Sequence, residues 1–472
     1  ENGAITYGST MSHCLDFFAT VGGMRNAKDS EIIKSFIRAY AENADVAMKM
    51  LFYARDIRQG LGERRIFKVI LKDLCWRYPE SVKKNLEYIS YFGRYDDFLV
   101  LIDTPCEREA IGYLKEVLNR DVEAMNKDSS PISLLAKWLP SVNTSNKEKV
   151  YLGKKLAKAF GMKEKEYRQT LSALRKKIDI LENHLREADY SFSYEKQPGN
   201  AMLKYRKAFQ RHDKERYEMY LASVKKGECR MHTQTLMPYE IIRPLYRHNI
   251  STEEAEILDV TWNALEDFAG DSNTLIVADG SGSMYSGVHH EPITVAHSLA
   301  LYFSERNKGT FANHFITFSS SPKLVEIKGK TLKERVNYIS TFDEIADTNL
   351  QAVFELILHT AVKKQITQSE MPERIIIVSD MEFNYCTQNS SLTNFEYAKC
   401  IFERAGYKLP KVVFWNVASR NHQVPVSQNE QGVILVSGTG SKLFEQVMTD
   451  AVNPYSYMME IIGSERYEKI AA

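Results

Sequence analysis

Cysteine is scarce and scattered in this 472-residue chain: Cys14, Cys75, Cys106, Cys229, Cys386 and Cys400 lie far apart, with no Cys-x-x-Cys pair. That spacing argues against a zinc knuckle and a disulfide framework, and is read as reduced, mostly core thiols. No stretch approaches the roughly 18 to 20 apolar residues of a membrane span. The first residues lack the basic-then-apolar profile of a signal peptide, and the chain starts at Glu1 rather than Met, so a trimmed N-terminus and a cytoplasmic home are expected. The complete Walker pattern Gly-x-x-x-x-Gly-Lys-Ser/Thr is missing, and a dinucleotide fingerprint fails where Tyr285 replaces the third glycine. A nucleophile elbow fails too, because Asp279, Ser281 and Met284 stand where Ser281, Ser283 and Ser286 would need a glycine two residues before.

What is present is the composition of a globular protein, 44% hydrophobic and 26% charged. The chain is too long for one ordinary core, so two or more domains are expected. Net charge is only +1 but unevenly spread. Residues 1–146 hold 20 basic and 20 acidic side chains, 147–230 hold 22 and 12, and 231–472 hold 20 and 29. A middle of +10 followed by a C-terminal part of −9 points to a face made for a polyanion.

From about residue 10 to 265 apolar residues recur at three- and four-residue spacing, which predicts an all-helical half. Ser30 reads as an N-cap opening the first of these helices, Ala44–Ala54 as the next, and Glu63–Trp76 as a third after Gly60 and Gly62. Short helices with short turns predict paired helices stacked as a solenoid, without a clean repeat period. The dense mixture Arg55, Asp56, Arg58, Glu63, Arg64 and Arg65 reads as an ion-pair network fixing a turn, and Trp138 before Pro140 reads as core.

After about residue 270 β-branched runs take over: Thr274–Ala278, Phe315–Phe318, Arg374–Ser379, Val412–Val417 and Gly432–Val436. Helical patterns at 294–306, 331–340, 349–364, 393–405 and 441–451 alternate with them, which predicts an α/β doubly wound, mostly parallel sheet with ligands at its carboxyl edge. The boundaries expected are therefore 1–268 for a helical domain that includes the basic segment 147–230, and 269–472 for an α/β domain.

The first of these strands runs into Asp279-Gly-Ser-Gly-Ser-Met284, which brings a carboxylate and two hydroxyls to the sheet edge, where glycines permit the tight turn. Thr348 before a helix and Asp380 ending a strand supply two further oxygens. Asp279, Ser281, Ser283, Thr348 and Asp380 are all hard donors, suited to Mg²⁺, with Mn²⁺ or Ca²⁺ able to substitute. The bland alternative, a turn rich in small polar residues, does not account for both distant partners. Metal-assisted hydrolysis lacks an evident general base, since His289 and His290 read as exposed loop residues.

The pattern Asp-x-Ser-x-Ser, then Thr, then Asp resembles the metal-ion-dependent adhesion site of von Willebrand factor A domains, over roughly residues 272–472. The resemblance implies a Rossmann-like domain in which Ser281, Ser283 and Thr348 ligate the metal directly and Asp279 and Asp380 hold its waters. A partner's acidic group fills the open position. Arg55–Arg65, Phe92–Asp97, Leu134–Ser141, Ala201–Lys207 and Val378–Glu382 together resemble a family spread over plants, bacteria and large viruses, which itself looks like a relative of the TROVE-type Ro proteins. That second resemblance implies a ring of HEAT-like repeats before the A-type domain, and binding of small structured or misfolded RNA.

The residues agree in sign. Lys154, Lys155, Arg168, Arg175, Lys176, Lys204, Arg206, Lys207 and Arg211 lie at helical spacing suited to phosphates, with Tyr167 and Tyr205 as candidates for stacking on bases. The competing reading is that these cations solvate exposed helices and pair with nearby glutamates. The function expected is that of a non-catalytic, Ro-like RNA-binding protein with a Mg²⁺-dependent site for a partner protein. The rivals are a protein-only adaptor and a metal-dependent hydrolase of nucleic acid.

Overall fold

The computed structural model describes residues 8–127, 131–178, 180–247, 249–285, 291–342, 349–381, 394–419 and 424–472. As far as Asn263 the described backbone is helix and turn, with an isolated bridge between Pro198 and His232. Local chemistry sets the ends of these helices. Ser12 opens His13–Thr20 by accepting from the Leu15 amide, and Asn146 opens Lys147–Phe160 by accepting from Lys149. Gly161, at φ 78°, closes that second helix in the left-handed conformation that glycine adopts without strain.

Ser30 does not cap its helix. Asp29–Glu42 starts two residues earlier than an N-cap at Ser30 implies, and the Glu31 carboxylate accepts from the Lys28 amide. A carboxylate in the first turn does the work assigned to the hydroxyl. The next two helices are Ala44–Arg55 and Arg64–Arg77.

The second part of the chain forms one six-stranded sheet of β1 (Thr274–Asp279), β2 (His314–Phe318), β3 (Leu324–Glu326), β4 (Arg374–Ser379), β5 (Lys411–Asn416) and β6 (Val433–Ser437), in the spatial order β3-β2-β1-β4-β5-β6. All neighbours pair in parallel except β2 with β3. Every residue of β1 and β4 is buried, as central parallel strands covered on both faces require. The five parallel strands match the five runs seen in the sequence. β3, only three residues long, is too short to leave a pattern. In place of a helix over 441–451 stand a single turn, Leu443–Gln446, and a separate helix Pro454–Ile462.

The chain divides into two compact units that cut across the sequence. One holds residues 1–43, 59–61 and 194–464; the other holds 44–58, 62–193 and 465–472. A linear boundary at 268/269 is not where compactness divides the chain, because helices from both ends of the first half pack with the sheet. In the sheet unit Ala19 joins the apolar cluster of Leu275, Val277, Ile375, Ile377 and Phe414.

The helical unit recovers the last residues of the chain. Tyr467 stacks on Phe92 at 5.4 Å between ring centroids, and Arg466 and Tyr467 both bond Asp56, which is wholly buried. Arg55 and Asp97, equally buried, pair at 2.7 Å, and Arg64 and Lys68 reach Asp96. Arg55, Asp56 and Arg64 of the charged stretch are thus ion-paired, with partners 32 to 410 residues away along the chain, and Arg58 donates to the Tyr91 carbonyl.

Candidate metal centre and basic helices

The strand order reverses between β1 and β4, and the carboxyl end of that pair is the crevice in which open α/β sheets place their ligands. Asp279 ends β1 with no exposure, and Asp380 follows β4 at 3%. The Ser281 amide donates to Asp279 Oδ1 at 2.9 Å, a local turn that folds the loop back over the strand. Ser281 Oγ and Ser283 Oγ lie 2.9 Å apart. From β4, the Ser379 hydroxyl donates to Asp279 Oδ2 at 2.7 Å and accepts from the Met381 amide at 3.1 Å.

Met381 adopts φ 65°, a left-handed conformation uncommon for a side chain of this kind and directly after Asp380. Such a turn is expected where a strand end is bent to present a functional group. Burial, and the nearby charge of Asp380, push the Asp279 carboxyl up to about 7. Ser379 is a site residue the sequence reading missed. Its hydroxyl sits one position before Asp380, and only the parallel β1/β4 register brings it to Asp279.

Asp279, Ser281, Ser283 and Asp380 therefore meet at one sheet edge. Thr348 lies outside the described residues, as do His289 and His290. Its neighbour Asn349 donates its amide to the Ser319 carbonyl just beyond β2 and caps the helix Leu350–Lys363. Among the described residues no group of three or more His, Cys, Asp or Glu side chains gathers. The candidate oxygens here are two carboxylates and two hydroxyls.

The carboxyl ends of β5 and β6 are closed by the N-terminal segment. The Gly22 amide donates to Ser437 Oγ at 3.0 Å, Ser437 Oγ donates to the Phe18 carbonyl, and the Ser419 amide donates to the Gly23 carbonyl. A Cβ at Gly22 would fall 2.4 Å from the Ser437 carbonyl, so only glycine permits this approach. Gly329-Lys330-Thr331 is the nearest approach to a phosphate loop, but Leu324 stands where the first glycine belongs, and Thr331 caps the helix Leu332–Ile339.

The nine basic candidates divide between the two units: Lys154, Lys155, Arg168, Arg175 and Lys176 belong to one, and Lys204, Arg206, Lys207 and Arg211 to the other. Lys154 pairs with Glu164 at 3.3 Å, and Lys155 with Asp103 and Glu107. Arg175 spends its guanidinium on the Ala136 and Leu139 carbonyls and the Ser141 hydroxyl, and burial lowers its pKa. Arg206 and Lys207 both clasp Glu254, and Lys204 lies over the Tyr205 ring at 4.5 Å. Arg168, Lys176 and Arg211 are exposed, with no ion pair among the described residues. Tyr167 cannot stack on a base: it is fully buried and donates to the Pro140 carbonyl.

Reversing the charge at Arg206 sets a carboxylate against Glu254, which is 8% exposed. An Arg206→Glu variant is expected to lose roughly 2–4 kcal/mol by urea titration, from a broken pair that becomes a like-charge contact. Arg168→Glu is expected to change stability by under about 0.5 kcal/mol. Any nucleic-acid assay built on Arg206 thus reads folding as well as binding.

A family described as "Domain of unknown function (DUF2828)" matches residues 1–119 and 112–275. The chain belongs to that family. A second family, "Domain of unknown function (DUF7788)", matches residues 273–466, a span that starts just before β1 and takes in the whole sheet. The "Uncharacterized protein L728" of Acanthamoeba polyphaga mimivirus is similar over 503 residues at 27% identity, covering 98% of this chain and 86% of that protein. Among solved structures, the crystal structure of the Deinococcus radiodurans Ro (RSR) protein aligns over 96% of this chain and 100% of its own, at 12% identity and a TM-score of 0.38. Among the described residues no helix is long and apolar enough to cross a membrane.

Proposed function

We propose that this DUF2828 protein is a non-catalytic binding protein whose α/β part works as a von Willebrand factor A-like domain, holding Mg²⁺ at the carboxyl ends of β1 and β4. The observation that carries the reading is the meeting of two buried carboxylates with two serine hydroxyls at the point where the strand order reverses. Two carboxylates taken out of water repel each other, and a hard cation with oxygen ligands relieves that cost. Ser281, Ser283 and, beyond the described residues, Thr348 are the proposed direct ligands, with Asp279 and Asp380 holding metal-bound water. Mn²⁺ or Ca²⁺ fits the same donor chemistry. The metal supplies a Lewis-acidic position for a carboxylate from a partner protein.

A direct test is Mn²⁺ electron paramagnetic resonance on the metal-stripped protein. One bound Mn²⁺, displaced by Mg²⁺ and lost in Ser281→Ala/Ser283→Ala, is expected; full-strength free signal from the wild type removes the proposal.

A second reading, RNA held by a HEAT-like helical part, draws support from the excess of ten positive charges in 147–230 and from the exposure of Arg168, Lys176 and Arg211. Sequencing of RNA co-purified with wild type and with an Arg168/Lys176/Arg211→Glu variant tests it. Specific RNA lost in the variant is expected. Clean protein in both samples favours a protein-only adaptor, while Mg²⁺-dependent cleavage of nucleic acid abolished by Asp279→Ala favours a hydrolase.

A further inference from the structure

A cleft of about 500 Å³ opens in the helical unit, lined by Arg58, Glu87, Tyr91, Arg94, Tyr113 and Trp138 among others. Trp138, read from sequence as core, is only half-buried there, and the Arg94 guanidinium lies over its ring at 4.6 Å. Tyr91 is 54% exposed, edge-on to Phe92, with Arg58 5.9 Å from its ring centroid. Arg94 is half-buried, and its side chain makes no hydrogen bond or ion pair among the described residues. Burial, with the charges of Arg55 and Arg64 beside it, lowers its pKa, and Asp96 and Asp97 only partly offset this. A partly desolvated guanidinium with unused donors is a strong site for an anion.

We infer that this cleft binds an unpaired nucleotide of single-stranded RNA, with phosphate on Arg94 and Arg58 and the base stacked against Tyr91 or the guanidinium plane. The inference rests on the RNA reading above, but on different residues. Cationic ligands are disfavoured by Arg58, Arg94 and Lys137, the last 5.6 Å from the Trp138 centroid. An acidic peptide satisfies the arginines and leaves the exposed aromatic face unused. A nucleotide uses both, and Glu87 at the cleft can accept from a base amine.

The test is tryptophan fluorescence of the full chain titrated at low salt with adenosine 5′-monophosphate and with a ten-nucleotide oligoadenylate. Saturable quenching is expected, lost in Trp138→Phe. Affinity is expected to fall roughly tenfold in Arg94→Gln and in Tyr91→Ala, the loss of one charge-assisted bond or one stacked base. Tyr91→Ala removes a half-exposed ring, and thermal melts check that it and Arg94→Gln stay folded. No quenching by either probe, or wild-type affinity in both variants, overturns the inference. So does quenching by poly-glutamate without a response to nucleotide, which assigns the cleft to peptide. Fluorescence anisotropy of a labelled RNA separates the two claims. RNA bound equally well by Arg94→Gln and Tyr91→Ala, and lost with Arg168/Lys176/Arg211→Glu, keeps the RNA reading and removes this one. Quenching by the monophosphate without any RNA complex removes both and leaves the cleft as a site for a free nucleotide.

Discussion

Asp97→Ala is expected to destabilise the helical unit by about 3–5 kcal/mol, because it strands a buried positive charge. Arg55 is 1% exposed and Asp97 wholly buried, and the two pair at 2.7 Å. The same carboxylate accepts from the Arg94 amide at 2.9 Å, and its other oxygen lies 3.4 Å from Lys68 Nζ. Gly93 shares the site: a Cβ there would meet Asp97 Oδ2 at 2.4 Å and Arg55 Nε at 2.8 Å. The cost arises from desolvation of an unpaired guanidinium more than from loss of attraction. Arg55→Met/Asp97→Leu is therefore expected to recover much of the loss, since apolar replacement of a whole buried pair is often tolerated. Chemical denaturation followed by circular dichroism decides. A double variant no better than Asp97→Ala alone rejects the desolvation account, and a single variant within about 1 kcal/mol of wild type rejects the bridge as a major contributor.

Adding Mg²⁺ is expected to raise the melting temperature, and to do so more at pH 8 than at pH 5. Asp279 is pushed up from its ordinary 3.8 to about 7 by burial and by Asp380. A carboxyl with a raised folded-state pKa binds its proton more tightly in the folded chain. The metal-free protein therefore loses stability as pH rises through the window between those two values, and does not lose it as pH falls. A cation needs the ionised form, so it restores at high pH what the metal-free protein lacks. At a hundred times the dissociation constant the gain is about 2.7 kcal/mol. Asp279→Asn is expected to flatten the pH dependence of the metal-free protein and to abolish the Mg²⁺ shift. Differential scanning calorimetry in chelator and in Mg²⁺ measures both. A shift of equal size at pH 5 and pH 8, or one that persists in Asp279→Asn, removes the assigned role of this carboxylate.

The two candidate sites were legible to different degrees for a physical reason. Asp279, Ser281 and Ser283 are close in sequence and follow a run of β-branched residues, so strand direction alone carries them to one edge. Ser379 escaped notice because a serine inside an apolar strand has no local signature; its partner lies 100 residues away. The basic segment was legible in its charge but not in its partners. Lysine and arginine at helical spacing announce an exposed charged face, yet Arg175 and Arg206 are drawn inward by carbonyls and by Glu254, contributed by distant parts of the chain.

Helix, strand and the alternation between them came from the amino-acid sequence by itself, since period-3.6 patterning and apolar β-branched runs are properties of neighbours along the chain. So did the Asp-x-Ser-x-Ser turn at the end of β1. What only the tertiary structure decided is which distant pieces share a core. Residues 1–43 and 194–264 join the sheet unit, and Glu465–Ala472 returns to the helical unit. The N-terminal segment closes β5 and β6 through Gly22 and Ser437, and Trp138 lines a cleft instead of filling a core. Such choices depend on shape and on pairing of buried polar groups between segments hundreds of residues apart, and no local pattern encodes them.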